Sequence, residues 1–148
     1  MKPVTNNKRR VLFICTHNSA RSQMAEAWLR EIAGDRFEVE SAGLEPGTIK
    51  PVVVDAMREV KIDLSQKTTQ TVLDVQKSGR LFHYVIALCD RDKAERCPTF
   101  PGITERLHWD IPEHPKSPET KEKQMAHVRA VRDLIKSRVG MWISEVTK

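Results

Sequence analysis

Apolar positions along this chain follow two rhythms that take turns. The continuous run Val11-Leu12-Phe13-Ile14 has the length and composition of a buried strand. Between Gln23 and Ile32, Met24, Trp28 and Ile32 recur every fourth residue and line one face of a helix, which Gly34 stops. Phe37-Glu38-Val39-Glu40-Ser41 then alternates as a strand does, and the stretch from Gly43 to Gly47 is a turn. A second helix starts near Pro51, where a missing N–H costs nothing, and runs past Met57 to about Val60. Asp63 to Thr69 reads as a loop, Thr71 to Ser78 as a third helix, His83 to Leu88 as the central strand and Ile103 to Trp109 as the last strand. Pro112, Pro115 and Pro118 keep the next ten residues irregular. From about Glu119, Met125, Val128, Val131, Ile135, Val139, Trp142 and Val146 fall at three- and four-residue steps and form the packing stripe of a closing helix.

Alternating strand and helix signals predict an α/β fold, with a four-stranded parallel sheet flanked by helices on both faces. No internal repeat, low-complexity tract or linker interrupts the pattern, so residues 1–148 are expected to form a single domain. The chain has 148 residues, 39% of them hydrophobic, enough for a sizeable core. No stretch approaches the ~20 apolar residues of a membrane span. Lys8-Arg9-Arg10 precedes only five apolar residues before Thr16, too few for a signal peptide, and the expected compartment is the cytoplasm. The net charge of +5 raises the question of nucleic acid. Basic residues, however, are mixed with 20 acids, and aromatics are only 5%, too few for a stacking platform. A solvated basic surface that attracts small oxyanions is the simpler reading, with no nucleic-acid or membrane partner and a monomeric state expected.

The chemistry concentrates between the first strand and the first helix, in Cys15-Thr16-His17-Asn18-Ser19-Ala20-Arg21-Ser22. A strand ending at Ile14 and a helix starting near Ala20 leave a tight loop whose N–H groups, from Thr16 to Arg21, converge on one point and favour an anion. Arg21 adds a planar fork of donors, and the positive end of the helix adds to the field. A free thiol titrates near ~8.5, and a helix N-terminus beside a cation lowers that by several units, so Cys15 is expected to be a thiolate nucleophile. Ser22 is placed to donate its hydroxyl hydrogen to that sulfur. The competing reading is a small buried thiol of the core.

Two more cysteines follow. Cys89 ends the central strand and Cys97 lies eight residues on, past a charged segment. An odd count of three argues against a secreted disulfide framework and for reactive thiols in a reducing compartment. Zinc held by Cys89 and Cys97 with His83 or His108 is an alternative, although Cys-x7-Cys is wide for a zinc knuckle and no Cys-x2-Cys pair exists. Ordinary buried thiols are another. Cys15 and Cys89 both lie at carboxyl ends of strands, where open α/β sheets place their ligands.

The cradle loop, followed by Ser22-Gln23-Met24-Ala25-Glu26 and by Ser41-Ala42-Gly43 downstream, resembles that of the low-molecular-weight tyrosine phosphatases and of the thioredoxin-coupled arsenate reductases built on the same fold. The resemblance spans nearly the whole chain and implies a flavodoxin-like strand order. The second pair of cysteines points to the reductases, which implies a role in arsenic detoxification. In them three cysteines work in sequence, at places that match Cys15, Cys89 and Cys97. The resemblance implies that Cys15 attacks arsenate, Cys89 resolves the adduct, Cys97 takes over the disulfide, and thioredoxin restores the thiols. Phosphate and sulfate would compete as oxyanions, and no bound cofactor is expected.

The chain departs from the family pattern in four places. His17 stands where the loop usually carries Gly, so its side chain must project away from the anion. The cysteine pair is one residue wider than usual. The acid that protonates the leaving oxygen falls on Glu113, counted from His108-Trp109, with Asp110 as the other candidate. Some of these reductases bind potassium through residues matching Asn18, Glu26 and Ser41, but a further acidic ligand is here Gln70. A phosphatase acting on aryl phosphate monoesters is the alternative function, and a catalytically idle oxyanion-binding domain is the third.

Overall fold

The structure, a computed structural model, describes residues 8–88, 104–111 and 120–147. Four strands form one parallel sheet: β1 (Arg9–Cys15), β2 (Phe37–Gly43), β3 (Tyr84–Ala87) and β4 (Glu105–His108), in the order β2-β1-β3-β4. Helices α1 (Arg21–Ala33), α2 (Pro51–Arg58), α3 (Val72–Lys77) and α4 (Lys121–Val146) lie between and after them. This is the four-stranded parallel α/β architecture expected from the alternation, with a flavodoxin-like order.

Strand β1 is central and covered on both faces, which explains why it reads as an unbroken apolar run. Val11 and Phe13 belong to the larger core, with Met24, Trp28 and Leu29 of α1 and Val131, Ile135 and Trp142 of α4. Leu12 and Ile14 point the other way, into a smaller core with Val72 and Val75 of α3, Phe82 and Val85. Trp142 is the aromatic hub of the larger core, with ring centroids 5.2 Å from Phe37 and 5.0 Å from Tyr84, the latter edge-on. Burying a side chain of this size contributes about 3 kcal/mol.

Local signals set the helix ends. Pro51 occupies the first turn of α2, and Thr71 caps α3 in a reciprocal box with Asp74. Thr120 accepts from Lys123 N at the start of α4. Of the closing stripe, Val128, Val131, Ile135, Val139 and Trp142 are buried, while Met125 and Val146 pack at its margins.

The α1 stripe needs correction. Met24 and Trp28 are buried, but Ile32 is 41% exposed. Steps of four residues drift by about 40° each around a helix of 3.6 residues per turn. By Ile32 the drift carries the side chain off the core, and Ala25, Leu29 and Ala33 complete the inward face instead. The strands also differ from expectation at their ends: β1 continues through Cys15, which makes the candidate nucleophile the strand's last residue. The prolines expected to shape the segment after Trp109 lie outside the described residues.

Candidate active site

The cradle grows from the β1–α1 junction. Cys15 and Thr16 are pinned by their carbonyls, which accept from Leu44 N (3.0 Å) and Glu45 N (2.8 Å), and Ser19 O accepts from Lys50 N (3.2 Å). Asn18 takes a left-handed φ of 58°, which turns the loop back on itself. The helix then begins after Ala20 with no side-chain cap, so the N–H groups of its first turn are left for an anion. Cys15, Thr16, His17, Ser19, Ala20 and Arg21 line the resulting pocket.

The Ser41-Ala42-Gly43 motif acquires a physical reason here. A Cβ on Gly43 would stand 2.6 Å from the backbone carbon of His17 and 2.7 Å from Asn18 N. Only glycine lets the end of β2 press against the cradle backbone.

Cys15 Sγ is 2.8 Å from Ser22 Oγ. Because Asn18 Nδ2 donates to the same hydroxyl oxygen at 2.8 Å, the single hydroxyl hydrogen of Ser22 is free to point at the sulfur. Both residues are almost fully buried.

Arg21 is placed at the cradle but not wholly devoted to it. Its Nη1 donates to Leu88 O (2.7 Å) and Ile111 O (3.0 Å), while the residue also lines the cradle pocket. The same bonds tie the cradle to the ends of two neighbouring strands. Leu88 N also donates to Ile14 O at 2.7 Å, so the residue that precedes Cys89 in sequence sits beside the end of β1, one residue before Cys15.

Other expected site residues take distinct places. The imidazole of His17 turns to Glu45, with Nε2 3.0 Å from Oε2, and leaves the anion position to the loop backbone. Asn18 is completely buried, and its amide is committed to support: Oδ1 accepts from Gln23 Nε2 (3.0 Å) and Gln70 N (3.2 Å). Asp110 is exposed and directly precedes Ile111, whose carbonyl Arg21 holds. His83 Nδ1 accepts from Arg10 N at 3.0 Å. Cys89, Cys97 and Glu113 lie outside the described residues.

Two features were not read from the sequence: Lys50 at the cradle, and the burial and ion pairing of Glu26, which the resemblance offered only as a potassium ligand. Lys50, at the start of α2, lines the cradle and brings a cation to its mouth; only its distance along the chain hid it. Behind the loop, Glu26 is completely buried. Its Oε1 accepts from Ser41 Oγ at 2.6 Å, and Arg30 Nη1 and Lys67 Nζ stand 2.6 and 2.9 Å from Oε2. Gln23 and Glu26 carry polar side chains at core positions of α1, which a periodicity reading assigns to solvent.

Residues 10–148 match the family model for low molecular weight phosphotyrosine protein phosphatases. The chain is 40% identical over 133 residues to the arsenate reductase of Halalkalibacterium halodurans, covering 90% of this chain and 94% of that one. Among solved structures it is similar to an arsenate reductase in the phosphate-binding state, with a TM-score of 0.73 and 28% identity over 94% of this chain and 99% of the other. It is also similar to a thioredoxin-dependent arsenate reductase of Corynebacterium glutamicum, with a TM-score of 0.62 and 30% identity over 93% of this chain and 65% of the other.

Proposed function

We propose, for a chain that belongs to the low molecular weight phosphotyrosine protein phosphatase family and within it to the arsenate reductases, that the cradle reduces arsenate to arsenite through a relay of its three thiols. The observation that carries the reading is the junction of Arg21 with Leu88: the residue before Cys89 is bonded both to the cradle arginine and to the backbone beside Cys15. A phosphatase needs Cys15, Arg21 and Ser22. It has no need of a second thiol on the chain that follows Leu88.

In this reading the loop N–H groups and the guanidinium of Arg21 hold three arsenate oxygens. Thiolate Sγ of Cys15, steadied by the Ser22 hydroxyl, attacks arsenic(V) and forms a sulfur–arsenic bond while one oxygen leaves as water. The proton for that oxygen comes from Glu113 or Asp110. Cys89 thiolate then attacks Cys15 Sγ; the sulfur–arsenic bond breaks, its electron pair stays on arsenic, and arsenite departs as arsenic(III). A Cys15–Cys89 disulfide remains. Cys97 attacks Cys89, frees Cys15 and leaves a Cys89–Cys97 disulfide for reduction by the thioredoxin dithiol. Phosphate and sulfate, which share the tetrahedral geometry, are expected to compete for the cradle. Detoxification of arsenic in the cytoplasm, by a monomer with no bound cofactor, completes the proposal.

A coupled assay separates this from the phosphatase alternative. With thioredoxin, thioredoxin reductase and NADPH, arsenate is expected to start sustained NADPH oxidation, and Cys89→Ser is expected to abolish it while sparing any hydrolysis of p-nitrophenyl phosphate. No oxidation, with brisk phosphate-ester hydrolysis, would make the extra cysteines incidental.

A further inference from the structure

The buried carboxylate of Glu26 stands where the family resemblance implies potassium, together with Asn18 and Ser41. The residues present do not fit a metal ion. Asn18 Oδ1 already accepts two N–H groups, from Gln23 and Gln70. The carbonyl of Ser41 accepts from Gln70 Nε2 at 3.0 Å, so the amide that replaces an acid turns a donor to this site. Glu26 Oε1 takes the Ser41 hydroxyl, and Oε2 has two cationic nitrogens within 3 Å. A further cation would enter a site where Glu26 already faces two cations and the neighbouring Glu40 is itself paired with Arg80.

We infer that Lys67 is a resident cation, and that its ammonium does for the back of the cradle what a bound monovalent ion would otherwise do. Two observations carry this beyond a simple ion pair. First, Glu26 Oε2 is completely buried and its counter-charges are two of the protein's own cations, Arg30 Nη1 at 2.6 Å and Lys67 Nζ at 2.9 Å, so the place a metal ion would take against this carboxylate is filled by side chains. Second, Lys67 belongs to the loop that supports the nucleophile. Thr68 O accepts from Gln23 Nε2 (3.3 Å), Thr69 Oγ1 donates to Gly47 O (2.6 Å), and Gln70 N reaches Asn18, which holds Ser22 on Cys15. Pinning Lys67 to Glu26 therefore fixes α1, this loop and the Asn18–Ser22 pair in one register. Lys67 is a positioning residue. The opening beside it, a polar cavity of about 170 Å³ bordered by Glu26, Glu40, Lys67 and Gln70, leaves a path for ions once the side chain is shortened.

The inference concerns the support of the cradle and holds whichever reaction the cradle performs, so it is tested without arsenate. Melting temperatures of the wild type, Lys67→Ala and Lys67→Arg are compared in potassium chloride and in choline chloride at equal ionic strength. The wild type and Lys67→Arg are expected to melt alike in the two salts. Lys67→Ala is expected to melt about 5 °C lower in choline chloride, and to recover at least half of that loss, saturably, in potassium chloride. Saturable stabilisation of the wild type by potassium over choline would overturn the proposal; this arm stands even if Lys67→Ala does not fold. So would a Lys67→Ala variant that loses nothing, or whose loss potassium restores no better than choline.

Discussion

Two polar networks of this molecule use the same residue types to opposite ends. Behind the cradle, Glu26, Ser41, Asn18, Gln23 and Ser22 are all buried; Glu26 takes the Ser41 hydroxyl, Gln70 bridges Ser41 to Asn18, and Asn18 and Ser22 carry the network to Cys15 Sγ. On the α2–α4 face, Glu59 collects Arg129 and Arg132, with contacts of 2.6 and 3.0 Å, at the protein surface. Those cations hold the Glu59 carboxyl at about 2, well below its ordinary 4.5, chiefly through the hydrogen bonds from Arg129. The surface network is the better paired by geometry, since Arg129 meets Glu59 with both Nε and Nη2. It is nonetheless the weaker contributor, because water screens and replaces its bonds. The lesson is that burial, more than pairing, decides what a charge is worth, and the buried charges lie next to the chemistry.

The sharpest break in that comparison is Cys15, the proposed nucleophile. Cys15→Ser is expected to lower arsenate reduction by at least ~10³-fold, since a hydroxyl is a poor nucleophile and cannot join a disulfide; single-turnover arsenite release checks it. Next comes the support. Glu26→Gln strands Lys67 and Arg30 beside a neutral amide, and breaking a buried pair typically costs ~3–5 kcal/mol. Both cations keep part of their hydration, with side chains 32% and 53% exposed, so a loss of about 2–3 kcal/mol is expected in urea unfolding. Ser22→Ala removes a single hydrogen bond to the sulfur and is expected to slow the first step about tenfold, some 1.4 kcal/mol, seen as a slower reaction of Cys15 with iodoacetamide.

The smallest effect belongs to the surface. Because the folded carboxyl of Glu59 titrates at about 2 rather than 4.5, its contribution is present above pH 4.5 and is lost as pH falls through 4.5 towards 2. Melting curves of the wild type and Glu59→Gln should therefore differ modestly at neutral pH and converge across that window. A difference that grows on acidification would contradict the assignment.

Legibility in the sequence followed the same division. Cys15, Arg21 and Ser22 could be read because one short loop between a strand and a helix sets their spacing, so local chain geometry alone implies convergence. The fold was readable for a similar reason: β1 is apolar on both faces, and α4 keeps its stripe over many turns. Glu26 and Gln23 were not readable as buried, since their partners Ser41, Lys67 and Thr68 come from elsewhere in the chain, and a polar residue on a helix ordinarily marks the solvent side. Ile32 misled for a smaller reason, a four-residue step extended one turn too far. Lys50 escaped because only the folding of α2 against the loop brings it to the cradle.

The most direct test of the three-thiol reading is a single turnover of Cys97→Ser with excess arsenate and no thioredoxin, with arsenite counted and the disulfide mapped by mass spectrometry of its peptides. One arsenite per protein and a Cys15–Cys89 disulfide are the predicted result. Arsenite without that disulfide, or no arsenite at all from a folded protein that still binds phosphate, would contradict it.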